Sequence, residues 1–202
     1  MKYIMVVFGW IASVLSIYGQ ENTTVATAII KEGTVLHYRI SIDDDAYPFV
    51  VKIVKLDFPN SIIFDYDMQS ANRLQARIEM TSNALTTAQT LYNFFDGKDE
   101  VLNNSVSLFL STKIITAIKN EKSSVNIPAH TALIKVDESD DAQIPFTKKG
   151  EKQIYKTNIA NFSTQKISND DVGYSIQYID DKKCPLIVSM DIGWTVTLER
   201  IE

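Results

Sequence analysis

Apolar and polar residues alternate along the chain after residue 33. In TVLHYRISI, residues 34–42, the apolar side chains fall at every second position and polar ones lie between them. Successive side chains of a strand point to opposite faces of a sheet, so the pattern predicts a strand with one buried face. FVVKIVKL, residues 49–56, follows a turn at DDDAYP and has apolar residues on both faces. We expect it to be a central strand.

The next two alternating segments predict a hairpin. SIIFDYDM and RLQARIEM each place apolar residues on one face and polar residues on the other. Paired side by side, they would set Asp65 and Asp67 near Arg73 and Arg77 on the polar face. Such exposed cross-strand pairs contribute little to stability and mainly favour one register.

The apolar spacing changes to three and four residues in SNALTTAQTLYNFFDG. This spacing is typical of an amphipathic helix, and it predicts one over about 82–96. Ser82 or Asn83 can cap its start, and Gly97 is a suitable stop. STKIITAIKN predicts a second short helix over about 111–120, with Ser111 as its cap.

Strand patterns return from Val125 onward and continue to the end of the chain. They occur in SVNIPAHTALIKV, KQIYKTNI, STQKI, YSIQYI, PLIVSMDI and WTVTLERI. The order of strands, two short helices and strands predicts an α+β, mainly antiparallel β fold, a curved sheet or half-barrel. FPNSIIFDYDM and KKCPLIVSMDI resemble each other faintly. An alternative interpretation is therefore that the domain consists of two similar halves, about 25–122 and 123–202.

The N-terminus has the layout of a secretory signal peptide. Lys2 precedes an apolar segment that ends near Tyr18, and small and polar residues follow. We place the signal peptide at 1–19 and one β-rich domain at 20–202. A retained membrane anchor is the alternative, although the apolar segment is shorter than the roughly 20 residues that a spanning helix needs. No other part of the chain is apolar for long enough.

Composition narrows the function classes. The mature chain would have 183 residues, which is 202 minus 19, and loss of Lys2 would change the net charge from -5 to -6. An acidic chain without a Lys/Arg cluster argues against nucleic acid as a partner. We find no phosphate-binding glycine loop, nucleophile elbow or dinucleotide motif, so we expect no cofactor.

Cys184 is the only cysteine, so it cannot form an internal disulfide. In CPLIVSMDI it shares the parity of Leu186, Val188 and Met190, which is the apolar face. A nucleophilic thiol needs a cationic neighbour or a helix N-terminus to lower its pKa. We therefore expect a buried sulfur that packs as a small apolar group.

The remaining catalytic and metal candidates are weak. Besides Cys184, the catalytic candidates are the two histidines, His37 on the polar face of its strand and His130 after IPA. No spacing supports a dyad with Cys184. The acidic segment DESDD makes Asp137, Asp140 and Asp141 the best metal candidates, but it lacks the alternating ligands of a calcium loop. We expect no metal site and interpret the acidic clusters as turns.

Five segments together resemble uncharacterised exported β-rich envelope proteins of Gram-negative bacteria, a family of unknown function. They are GTVLHYRI, IIFDYDM, IEMTSNALTTAQTLYNFF, SVSLFLSTKI and PLIVSMDIGWTVTLERI. The resemblance covers most of the mature chain and is one of pattern, without a catalytic motif. It implies a periplasmic or envelope location and a curved sheet, similar to the open half-barrels that bind apolar ligands.

Two hypotheses about function follow. The first is an exported, non-catalytic protein that binds an apolar small molecule or an envelope partner, with Leu91, Phe94 and Phe95 as the candidate ligand-binding residues under the sheet. The second is a secreted hydrolase that uses Cys184 or a pair of carboxylates.

Overall fold

The computed structural model describes residues 23–70, 72–119, 125–128 and 143–202, with the backbone alone given for 125–128, 143–145 and 147–149. The predicted signal segment 1–19 lies outside the described residues. The helices and strands are α1 (Ala26–Ile29), β1 (Val35–Ile42), β2 (Asp45–Asp57), β3 (Ser61–Gln69), β4 (Arg73–Thr81), α2 (Ser82–Thr87), β5 (Thr90–Leu91), β6 (Glu100–Leu102), β7 (Ser105–Val106), α3 (Thr112–Lys119), β8 (Val125–Pro128), β9 (Gln143–Lys156), β10 (Asn161–Asn169), β11 (Tyr174–Ile179), β12 (Ile187–Asp191) and β13 (Thr195–Ile201).

Within the described residues, eleven strands form one open, curved sheet in the order β6-β4-β3-β2-β1-β13-β12-β11-β10-β9-β8. All neighbours in it are antiparallel except β4 and β6, which are parallel. The strands β1 and β13 pair in the middle. An N-terminal meander, β1–β4, therefore extends to one side and a C-terminal meander, β9–β13, to the other. The predicted α+β, mainly antiparallel fold is confirmed.

One face of the N-terminal meander, which we call the inner face, is apolar and buried. The alternating positions of β1, β2 and β3 supply it, because side chains of a strand alternate between faces. Its buried side chains are Leu36, Tyr38, Ile40, Phe49, Val51, Ile53, Ile62, Phe64, Tyr66 and Met68. The outer face carries the polar residues between them.

The predicted hairpin is present as β3 and β4, with the expected register. Asp65 lies opposite Arg77, and its Oδ1 accepts a hydrogen bond from Arg77 Nε at 2.7 Å. Asp67 forms an ion pair with Arg73 on the same outer face. The turn predicted at DDDAYP is shorter than expected, because β2 begins at Asp45.

Along the described strands, four β-bulges or similar irregularities shift the register of the ladder. They lie between His37 and Tyr38, between Ile53 and Lys55, between Thr164 and Lys166, and between Gln177 and Tyr178. A bulge places an extra residue on one strand and increases the local twist and bend. One lies in the central β1–β13 pair, one interrupts the N-terminal meander and two interrupt the C-terminal meander, which fits a curved sheet.

Three short helices accompany the sheet, and the first predicted helix is wrong in extent. Its helical part is α2, which ends at Thr87, so most of the predicted span 82–96 is not helical. The cap is Thr81, whose side chain accepts a hydrogen bond from Ala84 N, rather than Ser82 or Asn83. The four-residue helix α1 was not predicted.

Threonines and tertiary contacts explain the early end of α2. The hydroxyl groups of Thr86 and Thr87 donate to the carbonyl oxygens of Ser82 and Asn83. β-Branched residues lose side-chain freedom in a helix, and their hydroxyl groups offer such competing bonds. Leu91, which matched the helical spacing, instead pairs with Val106 in the short parallel pair of β5 and β7.

The second predicted helix is confirmed as α3 up to Lys119, with Asn120 outside the described residues. Ser111 caps it as predicted, because its Oγ accepts a hydrogen bond from Ile114 N at 3.1 Å. The same hydroxyl donates to the carbonyl oxygen of Ala88 at 2.5 Å. The start of α3 is thereby tied to the segment that follows α2.

Over the described part of the chain, no helix combines the length and the apolar character needed to cross a membrane.

Candidate functional site

An extended segment crosses the inner face where the first helix was predicted to continue. We call residues 88–97 the strap. The side chains of Leu91 and Phe95 are buried, whereas that of Phe94 is 39% exposed. Of the three predicted ligand-binding residues, the structure therefore places two against the sheet and one towards solvent.

Phe95 is the centre of an aromatic cluster on the inner face. Its ring centroid lies 4.7 Å from that of Phe49 and 5.0 Å from that of Tyr66. Tyr92, also on the strap, meets Phe95 edge to face at 6.4 Å. Aromatic pairs at these distances contribute beyond the area that they bury, so the cluster fixes the strap to β2 and β3.

The end of the strap is held by a turn that requires glycine. The N–H of Gly97 donates to Tyr66 Oη at 2.8 Å, and Gly97 has a φ of +85°. Glycine adopts this left-handed conformation without the steric cost of a Cβ. The strap is thus anchored at Ala88 by Ser111 and at Gly97 by Tyr66.

Two residues of the strap, and Ser107 on the segment beside it, bury polar atoms that have no hydrogen-bond partner in the described structure. They are the hydroxyl of Tyr92, both amide atoms of Asn93 and the hydroxyl of Ser107. Asn93 is 4% exposed and Ser107 is fully buried. The bond from Tyr92 N to Val106 O at 2.7 Å places the backbone of Tyr92 and Asn93 beside the segment that carries Ser107.

Unpartnered groups of this kind are uncommon in folded proteins, since each costs about 1–3 kcal/mol. Burial raises the pKa of Tyr92 to about 12, so its phenol stays neutral and able to donate a hydrogen bond. We call Tyr92, Asn93 and Ser107 the polar cluster. An amide in the apolar segment LYNFF was the sequence signal that could have pointed to it.

A second feature is a cleft of about 320 Å³ between α3 and the turn that joins β2 to β3. Its lining residues are Phe58, Thr112, Ile115, Thr116, Lys119 and Lys182. Phe58 and Ile115 also pack against the core. Sequence patterns did not predict this cleft, because its three segments are distant along the chain.

Cys184 is fully buried, as predicted. It lies just before β12, where its carbonyl oxygen accepts a hydrogen bond from Leu186 N at 2.9 Å. Burial raises the pKa of its thiol to about 12, and the nearby Asp181 carboxylate adds to the rise. These surroundings oppose formation of the thiolate on which a cysteine nucleophile depends.

His37 lies on the outer face of β1, as predicted. Its Nε2 is 3.2 Å from Glu202 Oε2 and 3.3 Å from Arg200 Nη2. The imidazole is therefore engaged with surface charges. The other predicted histidine, His130, lies outside the described residues.

The predicted metal candidates Asp137, Asp140 and Asp141 also lie outside the described residues. Among the residues that are described, no three His, Cys, Asp or Glu side chains are grouped closely enough to hold a metal ion. The acidic turn at Asp180 instead binds cations of the chain itself, since both Lys119 and Lys152 lie within ion-pair distance of its carboxylate.

The chain matches no family model, no curated protein and no solved structure.

Proposed function

We propose that this protein is an exported, non-catalytic binding protein of the Gram-negative envelope, and that it holds an apolar ligand against the inner face of the sheet. The observation that carries the proposal is the strap. It covers an aromatic surface with a few apolar side chains while burying a polar cluster that has no partner within the described structure.

The strap is a cover that a ligand can replace. Its centre is attached by the two-residue pair of β5 and β7 and by the bond from Tyr92 N to Val106 O. A segment with so few backbone hydrogen bonds opens at lower free energy than the strands beneath it. An apolar chain that takes the positions of Leu91 and Phe95 would keep Phe49 and Tyr66 dry.

The polar cluster indicates that the ligand is not purely apolar. Small-molecule sites are mostly apolar and have a few placed polar groups that fix orientation. The hydroxyl groups of Tyr92 and Ser107 and the side-chain amide of Asn93 can each donate and accept hydrogen bonds. The ligand of this proposal therefore carries at least one neutral hydrogen-bonding group, such as an ester, amide or hydroxyl, next to its apolar part.

The envelope location is supported by the sequence of residues 1–19 and by the resemblance of the strand segments. Fractionation of the native cell tests it, and we expect the mature chain to begin at Gln20 in the periplasmic fraction. Recovery of the unprocessed chain in the cytoplasm would contradict export.

The binding activity is tested with lipid extraction and with an uncharged fluorescent probe. Protein purified from its native host should release an apolar molecule that mass spectrometry detects. N-phenyl-1-naphthylamine should bind the emptied protein and be displaced by that molecule. If no molecule is released and the probe does not bind, the proposal is wrong.

Two adjacent residues of the strap provide a matched pair of variants. Phe95→Ala removes the buried ring whose place the ligand takes, so the strap should open at lower cost and probe affinity should rise by about tenfold or more. Phe94→Ala removes an exposed ring and should leave the affinity unchanged. Equal effects of the two variants would mean that the probe binds elsewhere.

The variant Asn93→Leu tests whether the Asn93 amide forms a hydrogen bond to the ligand or has no role in binding. If the amide bonds the ligand, the variant should weaken binding of the released molecule about tenfold. If it has no such role, the variant should gain stability and bind that molecule as before, which would remove the polar cluster from the proposal.

A further inference from the structure

We propose that the cleft between Phe58 and α3 is a separate binding site for a single-chain amphiphile with an anionic head group, an alkyl carboxylate or an alkyl phosphate. The proposal is independent of the ligand at the strap. It rests on the shape of the cleft, on its apolar floor and on the charges at its rim.

The floor of the cleft suits a hydrocarbon chain. Phe58 and Ile115 are apolar residues that line the cleft, and Thr112 and Thr116 line it from α3. The volume of about 320 Å³ is at the lower end of the range for small-molecule sites. Each methylene that enters should raise affinity roughly fourfold until the cleft is full.

The rim is positively charged although the chain as a whole is acidic. Lys119 and Lys182 are the charged residues that line the cleft. Asp180 is shared, since Lys119 Nζ lies 3.2 Å from its Oδ1 and Lys152 Nζ lies 2.6 Å from its Oδ2. One carboxylate thus faces two ammonium groups, which leaves one positive charge in excess.

Lys182 adds a further positive charge at the rim. It forms no ion pair within the described part of the chain, and it follows Asp181 in the turn. With Lys183 next to it, the turn and its neighbours carry four lysines against Asp180, Asp181 and Asp57, the neighbour of Phe58, which is a local excess of one positive charge. In a chain of net charge -5, this excess favours an anionic head group at this end of the molecule.

Other occupants fit the cleft less well. A metal ion would meet ammonium groups instead of oxygen ligands. A protein partner would need about 800 Å² on this side, far more than the cleft offers. A nucleic acid would need a row of phosphate contacts from Lys and Arg, whereas two lysines line this site.

Isothermal titration of the full mature chain with decanoate, decyl phosphate and decanol tests the proposal. Decanoate, decyl phosphate or both should bind at least tenfold more tightly than decanol, and their relative affinities identify the carboxylate or the phosphate as the preferred head. Octanoate should bind more weakly than decanoate, and added salt should weaken both. Equal binding of decanol and the two anions would overturn the proposal.

Three variants locate the site. Lys182→Gln should weaken decanoate binding several-fold, whereas Lys113→Gln, an exposed lysine of α3 outside the cleft, should not. Thr116→Trp fills the cleft from an exposed position of the helix and should abolish decanoate binding in a folded protein. If Lys182→Gln and Lys113→Gln have the same effect, or if Thr116→Trp leaves decanoate binding intact, the cleft is not the site.

The same variants distinguish this site from the strap. Thr116→Trp should leave N-phenyl-1-naphthylamine binding unchanged, and Phe95→Ala should leave decanoate binding unchanged. A change in the affinity for both ligands in either variant would mean one shared site, which would overturn the independence of the cleft.

Discussion

The two meanders are both built from antiparallel strands but are buried differently. In β1–β4 of the N-terminal meander, the buried side chains are apolar and the outer face carries ion pairs such as Asp65 with Arg77. In the C-terminal meander, β10 buries four polar residues as well as apolar ones. These polar residues are Thr164, Gln165, Ser168 and Asn169.

The C-terminal meander is also covered on more than one side. β12 pairs with β13 over three residue pairs and leaves the last part of β13 without a neighbour there. The β9–β10 hairpin reaches this part: Tyr155 Oη donates to Leu198 O at 2.6 Å, and the Asn158 amide exchanges two bonds with Ile201. On the inner side, Phe109 bridges to Leu186.

Alternation describes a strand with one face exposed to water and fails where both faces are buried. A buried polar side chain is tolerated when its partners are supplied by neighbouring strands. Thr164 shows this, since it donates to Gln153 O and accepts from Gln177 Nε2. The variants below test either the buried interior of the C-terminal meander or the exposed outer face of the N-terminal meander.

The largest expected effect is the protection of Cys184 in the C-terminal meander. With a pKa of about 12, the folded thiol is ionised on the order of one part in ten thousand at pH 8, against roughly a quarter for an ordinary cysteine. Because the sulfur is also fully buried, iodoacetamide should label it at least about a hundredfold more slowly in the folded protein than in urea. Rapid labelling of the native protein would show that this region is open.

The next effect concerns the buried hydroxyl of Thr164. Thr164→Val keeps the shape and removes the bonds to Gln153 and Gln177, which should lower the free energy of unfolding by about 1–3 kcal/mol. Thr197→Val, on the partly exposed face of β13, is the matched control and should change it by less than about 0.5 kcal/mol. Urea denaturation measures both, and equal values would contradict a dry interior around β10.

Removal of the contact between the β9–β10 hairpin and β13 should cost less. Asn158→Ala deletes the two bonds to the backbone of Ile201, and we expect a loss of about 1 kcal/mol, because the site is partly exposed to water. Tyr155→Phe, which deletes one bond to Leu198, should cost no more than that. If both variants are as stable as the parent, the hairpin does not support β13 in solution.

A pH titration tests the ion pairs at Asp180. Burial raises the pKa of this carboxyl, but hydrogen bonds from Lys152 and Lys119 outweigh burial and hold the pKa below its usual value. The stability it contributes is therefore present above the unfolded pKa and lost as the pH falls through the folded pKa. Asp180→Asn should be less stable at pH 7 by under about 1 kcal/mol after solvent screening, and the difference should vanish near pH 2.

The smallest effect is expected on the wet face of the N-terminal meander. A double-mutant cycle of Asp67→Asn and Arg73→Gln should give a small coupling, because both side chains meet water, and 1 M salt should reduce it further. The hydrogen bond from Arg73 lowers the pKa of Asp67, so the coupling should also fade in acid. A coupling energy larger than the loss of stability in Thr164→Val would mean that the exposed ion pair contributes more than the buried hydroxyl, which contradicts the comparison.

Much of the fold was predictable because apolar and polar residues alternate along each strand. The register of β3 with β4, the cap of α3 at Ser111 and the burial of Cys184 all followed from pattern and side-chain chemistry. The strap was not predictable in this way. Leu91 and Phe95 are four residues apart, a spacing that suits one face of a helix equally well, and the choice depended on the aromatic surface of Phe49 and Tyr66.

The candidate sites show the same limit. Leu91 and Phe95 were predicted under the sheet, but Phe94 faces solvent, because a neighbouring side chain in an extended segment points the other way. The cleft at Phe58 joins the β2–β3 turn, α3 and the turn at Lys182. These segments are more than fifty residues apart, and no local pattern connects them.

The order of apolar and polar residues thus decided which segments are strands and which of their faces are wet, since burial of every second side chain needs no knowledge of the partner. Tertiary structure alone decided how the two meanders meet at β1 and β13, what fills the inner face and which polar groups find partners. Those outcomes depend on side chains brought together from distant parts of the chain, and their energies appear only when the surfaces are in contact.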